Sequence, residues 1–208
     1  MFYTVVGGKH YQSIGYATSD DLFNWTTAED NIVIDCINFD WAAAHTNSYT
    51  NCRDPYITNY DGTWYCYYTA LLKNGDGCIG VCVSNDLITW HDKGYCLQRP
   101  YNEGPGTEVC ESPCSFRKDG LYYIVYNQGL GLKYAVSDNP ISFSASPIQV
   151  LNTGELPNHV PYNFELLDAD TGLFGYLCGG YYSYAAYGFC DIGQGKLQIR
   201  KIDYLRSC

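Results

Sequence analysis

Two acidic residues, Asp54 and Glu111, sit in similar surroundings. Arg53-Asp54-Pro55 opens one stretch of strand-like text, and Glu111-Ser112-Pro113 opens another, one repeat further along the chain. In each, a proline follows closely and residues of high β propensity come next. A pair of carboxyl groups can divide a bond cleavage between them. One, protonated, hands its proton to a departing oxygen, while the other, ionised, attacks, activates water or stabilises positive charge. Acetal bonds between sugars are broken in this way, with the separation of the two groups setting the stereochemical outcome. The bland alternative makes Asp54 the cap of a turn before a proline and Glu111 the exposed start of a strand. The elements around them decide whether they meet.

The chain has 208 residues, 46% of them hydrophobic, which is enough for the core of one medium domain or a repeat array. Its formal charge of −10, from 12 Lys and Arg against 22 Asp and Glu, lacks the basic footprint that binding phosphates requires, so nucleic acid is excluded as a partner. The 22 Tyr and 4 Trp favour strands and present flat apolar faces with a polar edge, a form suited to stacking on sugar rings as well as to ordinary packing. Eleven cysteines are scattered through strand-like text with no Cys-x-x-Cys, a poor pattern for zinc. No metal and no cofactor is expected. Buried, reduced thiols are the expectation, which favours a reducing compartment such as the cytoplasm, although a disulfide involving Cys110 or Cys114 stays open. The opening residues carry no basic n-region and too short an apolar run for a signal peptide or a membrane span, so no membrane partner is expected.

Apolar residues come in short runs of period near two, bounded by Gly, Asp, Asn and Pro, which reads as all-β. The text also repeats. Ile14 to Trp25, containing Ser19-Asp20-Asp21-Leu22, recurs as Ile79 to Trp90, containing Ser84-Asn85-Asp86-Leu87, and more weakly as Leu132 to Phe143. A second motif interleaves: a polar residue near a proline, a strand, an Asp-Gly turn and an aromatic strand. It runs from Asp54-Pro55 to Asp61-Gly62, from Glu111 to Asp119-Gly120, and in degenerate form from His159-Val160-Pro161 to Asp170-Thr171-Gly172. About four strands per period is the content of a β-propeller blade, with a solenoid or sandwich as rivals. Cys52 to Cys96, Glu111 to Val150 and His159 to Tyr204 make three blades, and the first 35 or so residues supply part of another. The expectation is one domain over residues 1–208, an incomplete propeller that begins inside a blade. Its open sheet edge would be covered by an upstream segment or by oligomerisation.

Taken in order, Phe2-Tyr3-Thr4, the two Ser-x-Asp-Leu-x-x-Trp turns, Arg53-Asp54-Pro55 and Glu111-Ser112-Pro113 resemble the five-bladed propeller glycosidases of glycoside hydrolase families 32, 43 and 68. The likeness is closest to family 32, the invertase, levanase and inulinase-like enzymes, and is best over residues 1 to about 150. One departure is Ser112 where that family usually has Cys, the nearest cysteine being Cys110. A second is that the family's first carboxylate lies upstream of the Phe-Tyr-Thr strand, so this chain shows two of three.

The resemblance implies Glu111 as general acid, kept protonated by neighbouring negative charge and partial burial, and Asp54 as the carboxylate that holds sugar hydroxyls and stabilises an oxocarbenium-like transition state. Arg53 would hold that carboxylate or a hydroxyl as a charged fork. His159, in the slot taken to match Asp54 and Glu111 on the next blade, and Trp41, in an irregular connection, are the remaining substrate-binding candidates. The implied function is hydrolysis of neutral glycans, fructan- or sucrose-like or containing arabinose or xylose, with a carbohydrate as partner. The alternative is a propeller that holds carbohydrate without cleaving it.

Overall fold

The computed structural model describes residues 1–7, 12–43, 51–100, 109–129, 131–143, 149–151, 160–179 and 184–204. Within them the chain is all-β, in four antiparallel meanders. The first sheet holds β1 (Phe2–Val6), β2 (Gln12–Thr18) and β3 (Thr26–Ile34). The second holds β4 (Arg53–Tyr60), β5 (Thr63–Leu71), β6 (Gly77–Ser84) and β7 (His91–Arg99). The third holds β8 (Glu111–Lys118), β9 (Leu121–Asn127), β10 (Leu132–Ser137) and β11 (Gln149–Val150), and the fourth β12 (Val160–Asp168), β13 (Leu173–Gly179), β14 (Tyr184–Gly193) and β15 (Lys196–Tyr204). A single 3-10 turn, Cys36–Asn38, leads out of β3. The first strands of successive sheets touch, β1 with β4, β4 with β8 and β8 with β12, which is the arrangement of blades around a shared axis.

The aromatic strands read as nearly continuous apolar text because both faces of the middle sheets are covered. Alternation then sends neighbouring residues to different cores. On β5, Tyr68 and Cys66 join Ile14, Ile34 and Cys78 between the first and second sheets, while Tyr67 joins Ile79, Leu97 and Ile124 between the second and third. On β9, Tyr126 and Ile124 face the second sheet, and Val125 and Tyr123 face Phe164, Phe174 and Leu197 of the fourth. Each of these large side chains contributes about 1.5–3 kcal/mol by leaving water. Gly80 is needed beside Tyr68, because a Cβ there would lie 2.3 Å from the buried ring. Cys36, Cys52, Cys66, Cys78, Cys82, Cys96, Cys110, Cys114 and Cys190 are all buried, and burial pushes the Cys82 and Cys190 thiols up to about 12.

The repeated turns are built alike. Ser19 Oγ accepts from the N–H groups of Asp21 and Leu22 at 3.3 and 2.9 Å, and Ser84 Oγ from those of Asp86 and Leu87 at 3.1 and 2.9 Å. The Asp Oδ1 then accepts two further backbone N–H groups in each copy, and the Trp Nε1 donates to the Leu carbonyl. Those bonds hold the Asp86 carboxyl down at about 2 and Asp21 lower still, and they let Leu22 and Leu87 take φ values of 65° and 67°. The Asp61-Gly62 and Asp119-Gly120 hairpins have positive φ at both residues, as a primed turn requires.

Candidate active site

Arg53 and Asp54 begin β4, and Glu111 begins β8, on neighbouring first strands. In a regular strand Arg53 and Asp54 would point to opposite faces. A bulge prevents this: the pairing of β4 with β5 slips between Arg53 and Tyr56, and Asp54 sits at φ 55°. The left-handed residue re-aims its own side chain, as bulges beside functional sites do. β8 repeats the device, with a slip between Glu111 and Cys114 and Ser112 at φ 51°. A third slip, between Pro161 and Asn163, marks β12.

The bulges bring the three charged groups together. Arg53 Nη2 donates to Glu111 Oε1, and its Nε lies 3.7 Å from Asp54 Oδ2. Arg53 Nη1 also donates to Asn51 Oδ1 and, at 3.3 Å, to Gln12 Oε1 of β2. Asp54 Oδ2 accepts from the Thr69 hydroxyl at 2.9 Å and the Ser112 N–H at 3.2 Å, while the Asp54 N–H donates to Thr4 Oγ1 of β1 at 3.1 Å. Both carboxylates are about one-third exposed, whereas the Arg53 side chain is mostly covered, at 16%. One partly buried cation thus links two solvent-reachable anions. A cavity of about 240 Å³ lies beside Asp54, lined by Asp54, Pro55, Tyr56, Ser112, Pro113 and Glu165; Glu111 is not part of its lining.

Register corrects one part of the sequence reading. Arg53 pairs with Thr69, and Glu111 with Asn127, so Arg53 and Glu111 occupy the same slot and Asp54 corresponds to Ser112. The two acids come from adjacent slots. The prolines carried the signal, since Asp54 lies one residue before Pro55 and Glu111 two before Pro113. His159 lies outside the described residues. Trp41 is not brought to the pair: its Nε1 donates to Asp92 Oδ2 at 3.0 Å and its ring lies 5.7 Å from Tyr95, both on β7, at the other edge of the sheet from β4. Thr69, Thr4 and Glu165 were not singled out in the sequence, because what marks them is cross-strand position. Among the described residues no group of metal-ligating side chains gathers.

The model of the glycosyl hydrolases family 32 N-terminal domain matches residues 1–146, the span that contains both bulges. The chain belongs to glycoside hydrolase family 32. No curated protein sequence matches this family 32 chain. Among solved structures it is similar to a Bombyx mori family 32 β-fructofuranosidase in complex with sucrose, at 15% identity and TM-score 0.72, over 96% of this chain and 47% of that one. It is also similar to a thermostable family 43 glycoside hydrolase, at 16% identity and TM-score 0.68, over 96% and 70%. A B. megaterium levansucrase matches at 15% identity and TM-score 0.61, over 99% and 64%. At such identities the likeness is one of fold, and these neighbours are β-propeller hydrolases. The family 32 chain spans between about half and two-thirds of the length of most of the structures it resembles.

Proposed function

We propose that this chain supplies the proton donor and the charge-stabilising carboxylate of an O-glycosidase acting on neutral glycans, within a five-bladed propeller to which it contributes four sheets. The observation that carries the reading is that Glu111 and Asp54, from neighbouring strands, meet at the one Arg53 guanidinium. Glu111 protonates the departing glycosidic oxygen. Asp54, turned by its bulge and tied down by Thr69 and Ser112, faces the positive charge that develops on the sugar ring and accepts its hydroxyls. Arg53 fixes the separation of the two. The carboxylate that attacks or activates water is not assigned to any residue of this chain. Fructan- or sucrose-like glycans come first as substrates and arabinose- or xylose-containing chains second, an order supported by the family match.

The test is Glu111→Gln in the intact protein, assayed on sucrose, fructans, arabinan and xylan oligosaccharides and on aryl glycosides. Loss of the acid lowers kcat by roughly 10²–10⁴ on glycans and far less on aryl glycosides, whose leaving groups need little protonation. Full activity of the variant on glycans removes Glu111 from the role. A parent protein that binds these glycans and cleaves none of them favours the binding alternative.

A further inference from the structure

The residues opposite the two bulges are satisfied differently. Opposite Arg53, Thr69 is fully buried and its hydroxyl is engaged by Asp54. Opposite Glu111, the equivalent residue of β9 is Asn127, which is 3% exposed, and its amide Oδ1 is buried with no hydrogen-bond partner among the described residues. An orphaned buried carbonyl oxygen is costly, and native proteins keep few of them. Directly opposed residues of an antiparallel pair present their side chains on one face, with Cβ atoms about 5 Å apart. Asn127 and Glu111 are therefore neighbours by register.

The orphan makes sense once the proton on the acid is considered. Ionised, Glu111 is an acceptor only, so it turns to Arg53 and offers nothing to a second acceptor. Protonated, the same carboxyl becomes a donor, loses most of its attraction to the guanidinium and requires an acceptor. We propose that Asn127 is a positioning residue for Glu111: its amide Oδ1 takes the hydrogen bond of the protonated carboxyl. Proton uptake then moves Glu111 from Arg53 to Asn127 and keeps the acid loaded until a substrate oxygen replaces the amide as acceptor. No bond is made or broken in this step except the transfer of one solvent proton to the carboxylate. The inference rests on the reading of Glu111 as the acid.

The other groups around this end of β8 fit the exchange. From β4 come Arg53, which donates to Glu111, and Asp54, which accepts from the N–H of the next residue, Ser112. From β12, Glu165 is the acidic residue that lines the same cavity as Asp54 and Ser112. β5 offers Thr69, which does not titrate, and β9 offers the buried Tyr126 next to Asn127 in the chain. Asn127 is thus the uncharged acceptor in register with Glu111 whose oxygen has no partner among the described residues.

The experiment compares the parent protein with Asn127→Leu, close in size and lacking the acceptor, and Asn127→Asp, which keeps it and adds charge. The readouts are the pH dependence of kcat/KM and of kcat, together with the carboxyl-carbon NMR titration of Glu111 in protein labelled at glutamate. N127L is expected to move the alkaline limb of kcat/KM, which reports the free enzyme, down by about half a pH unit or more, while the limb of kcat moves less. N127D is expected to move it up, because two carboxyl groups sharing one proton hold it more tightly. The thermal midpoint of N127L should hold or rise, since an orphaned polar group has been removed. An unchanged Glu111 titration in both variants, or shifts of the same sign, overturns the proposal. If N127L does not fold, N127D decides alone, an upward shift supporting the proposal and no shift overturning it. The NMR titration needs no turnover. A protein that cleaves no glycoside yet shows the opposed shifts therefore loses the hydrolase reading and keeps the Asn127–Glu111 coupling.

Discussion

The bulges on β4 and β8 are the same backbone device carrying different chemistry. Each inserts a left-handed residue just before a proline, Asp54 at φ 55° and Ser112 at φ 51°, and each delivers the preceding residue, Arg53 or Glu111, to the same slot. On β4 the strained residue is the carboxylate, and its neighbours satisfy it: Thr69 and Ser112 both donate to Asp54 Oδ2. On β8 the strained residue is an onlooker whose N–H serves Asp54, and the acid occupies the slot of the arginine. The first site is closed around its carboxylate by these two donors. The second leaves an acceptor, Asn127 Oδ1, unpaired in register with Glu111, the residue proposed as the proton donor. On the proposed reading, a repeat fold builds an acid and a stabiliser from one template by exchanging two side chains.

Substitutions at three positions sharpen this contrast. The largest effect is expected from Thr69→Val, which removes a donor to a charged group without changing volume much: kcat/KM should fall roughly ten- to hundredfold. Thr69→Ser should restore most of it. The alkaline limb of the pH profile should stay in place, because Thr69 serves Asp54 and not Glu111; a limb displaced as far as that of N127L would erase the distinction between the two sites. Next is Ser112→Gly, which relieves a non-glycine residue of its left-handed conformation while keeping the N–H that Asp54 accepts. Chemical denaturation should show a gain of up to about 1 kcal/mol. A loss would mean that the Ser112 side chain, and not the bulge alone, holds β8.

The smallest effect concerns the residue after each proline, Tyr56 on β4 and Cys114 on β8, which pack in one cluster across the sheet boundary. Burial, the first cause for each, raises the Tyr56 phenol above its ordinary value and the Cys114 thiol up to about 11. A raised thiol contributes stability that is complete below the unfolded value of about 8.5 and is lost as pH climbs through the folded one. Thermal midpoints measured from pH 8 to 11 should therefore decline, and Cys114→Ala should make that decline shallower while lowering the midpoint at neutral pH. An unaltered slope would assign the alkaline sensitivity to other thiols, such as Cys82 and Cys190.

Much of this architecture is local, and the sequence by itself determined it. The Ser-x-Asp turns close through bonds within four residues, the Asp-Gly hairpins need only their own φ preferences, and Tyr67-Tyr68 alternate between two cores because a strand does. The doubled Ser-x-Asp-Leu-x-x-Trp text, read with Arg-Asp-Pro and Glu-Ser-Pro, was enough to single out Arg53, Asp54 and Glu111. What only the tertiary structure decided is register. Matching acid to acid put Asp54 and Glu111 in one slot, whereas pairing with β5 and β9 offsets them by one and places Arg53 between them. Trp41 went to the far edge of its sheet for a related reason: where an irregular connection lands depends on which surface remains uncovered once the strands have packed. Thr69 and Asn127 acquire meaning only as the cross-strand partners of Arg53 and Glu111. Hydrogen bonds between strands depend on a one-residue bulge, and a bulge shifts every later contact without altering the pattern of apolar and polar letters from which a fold is read.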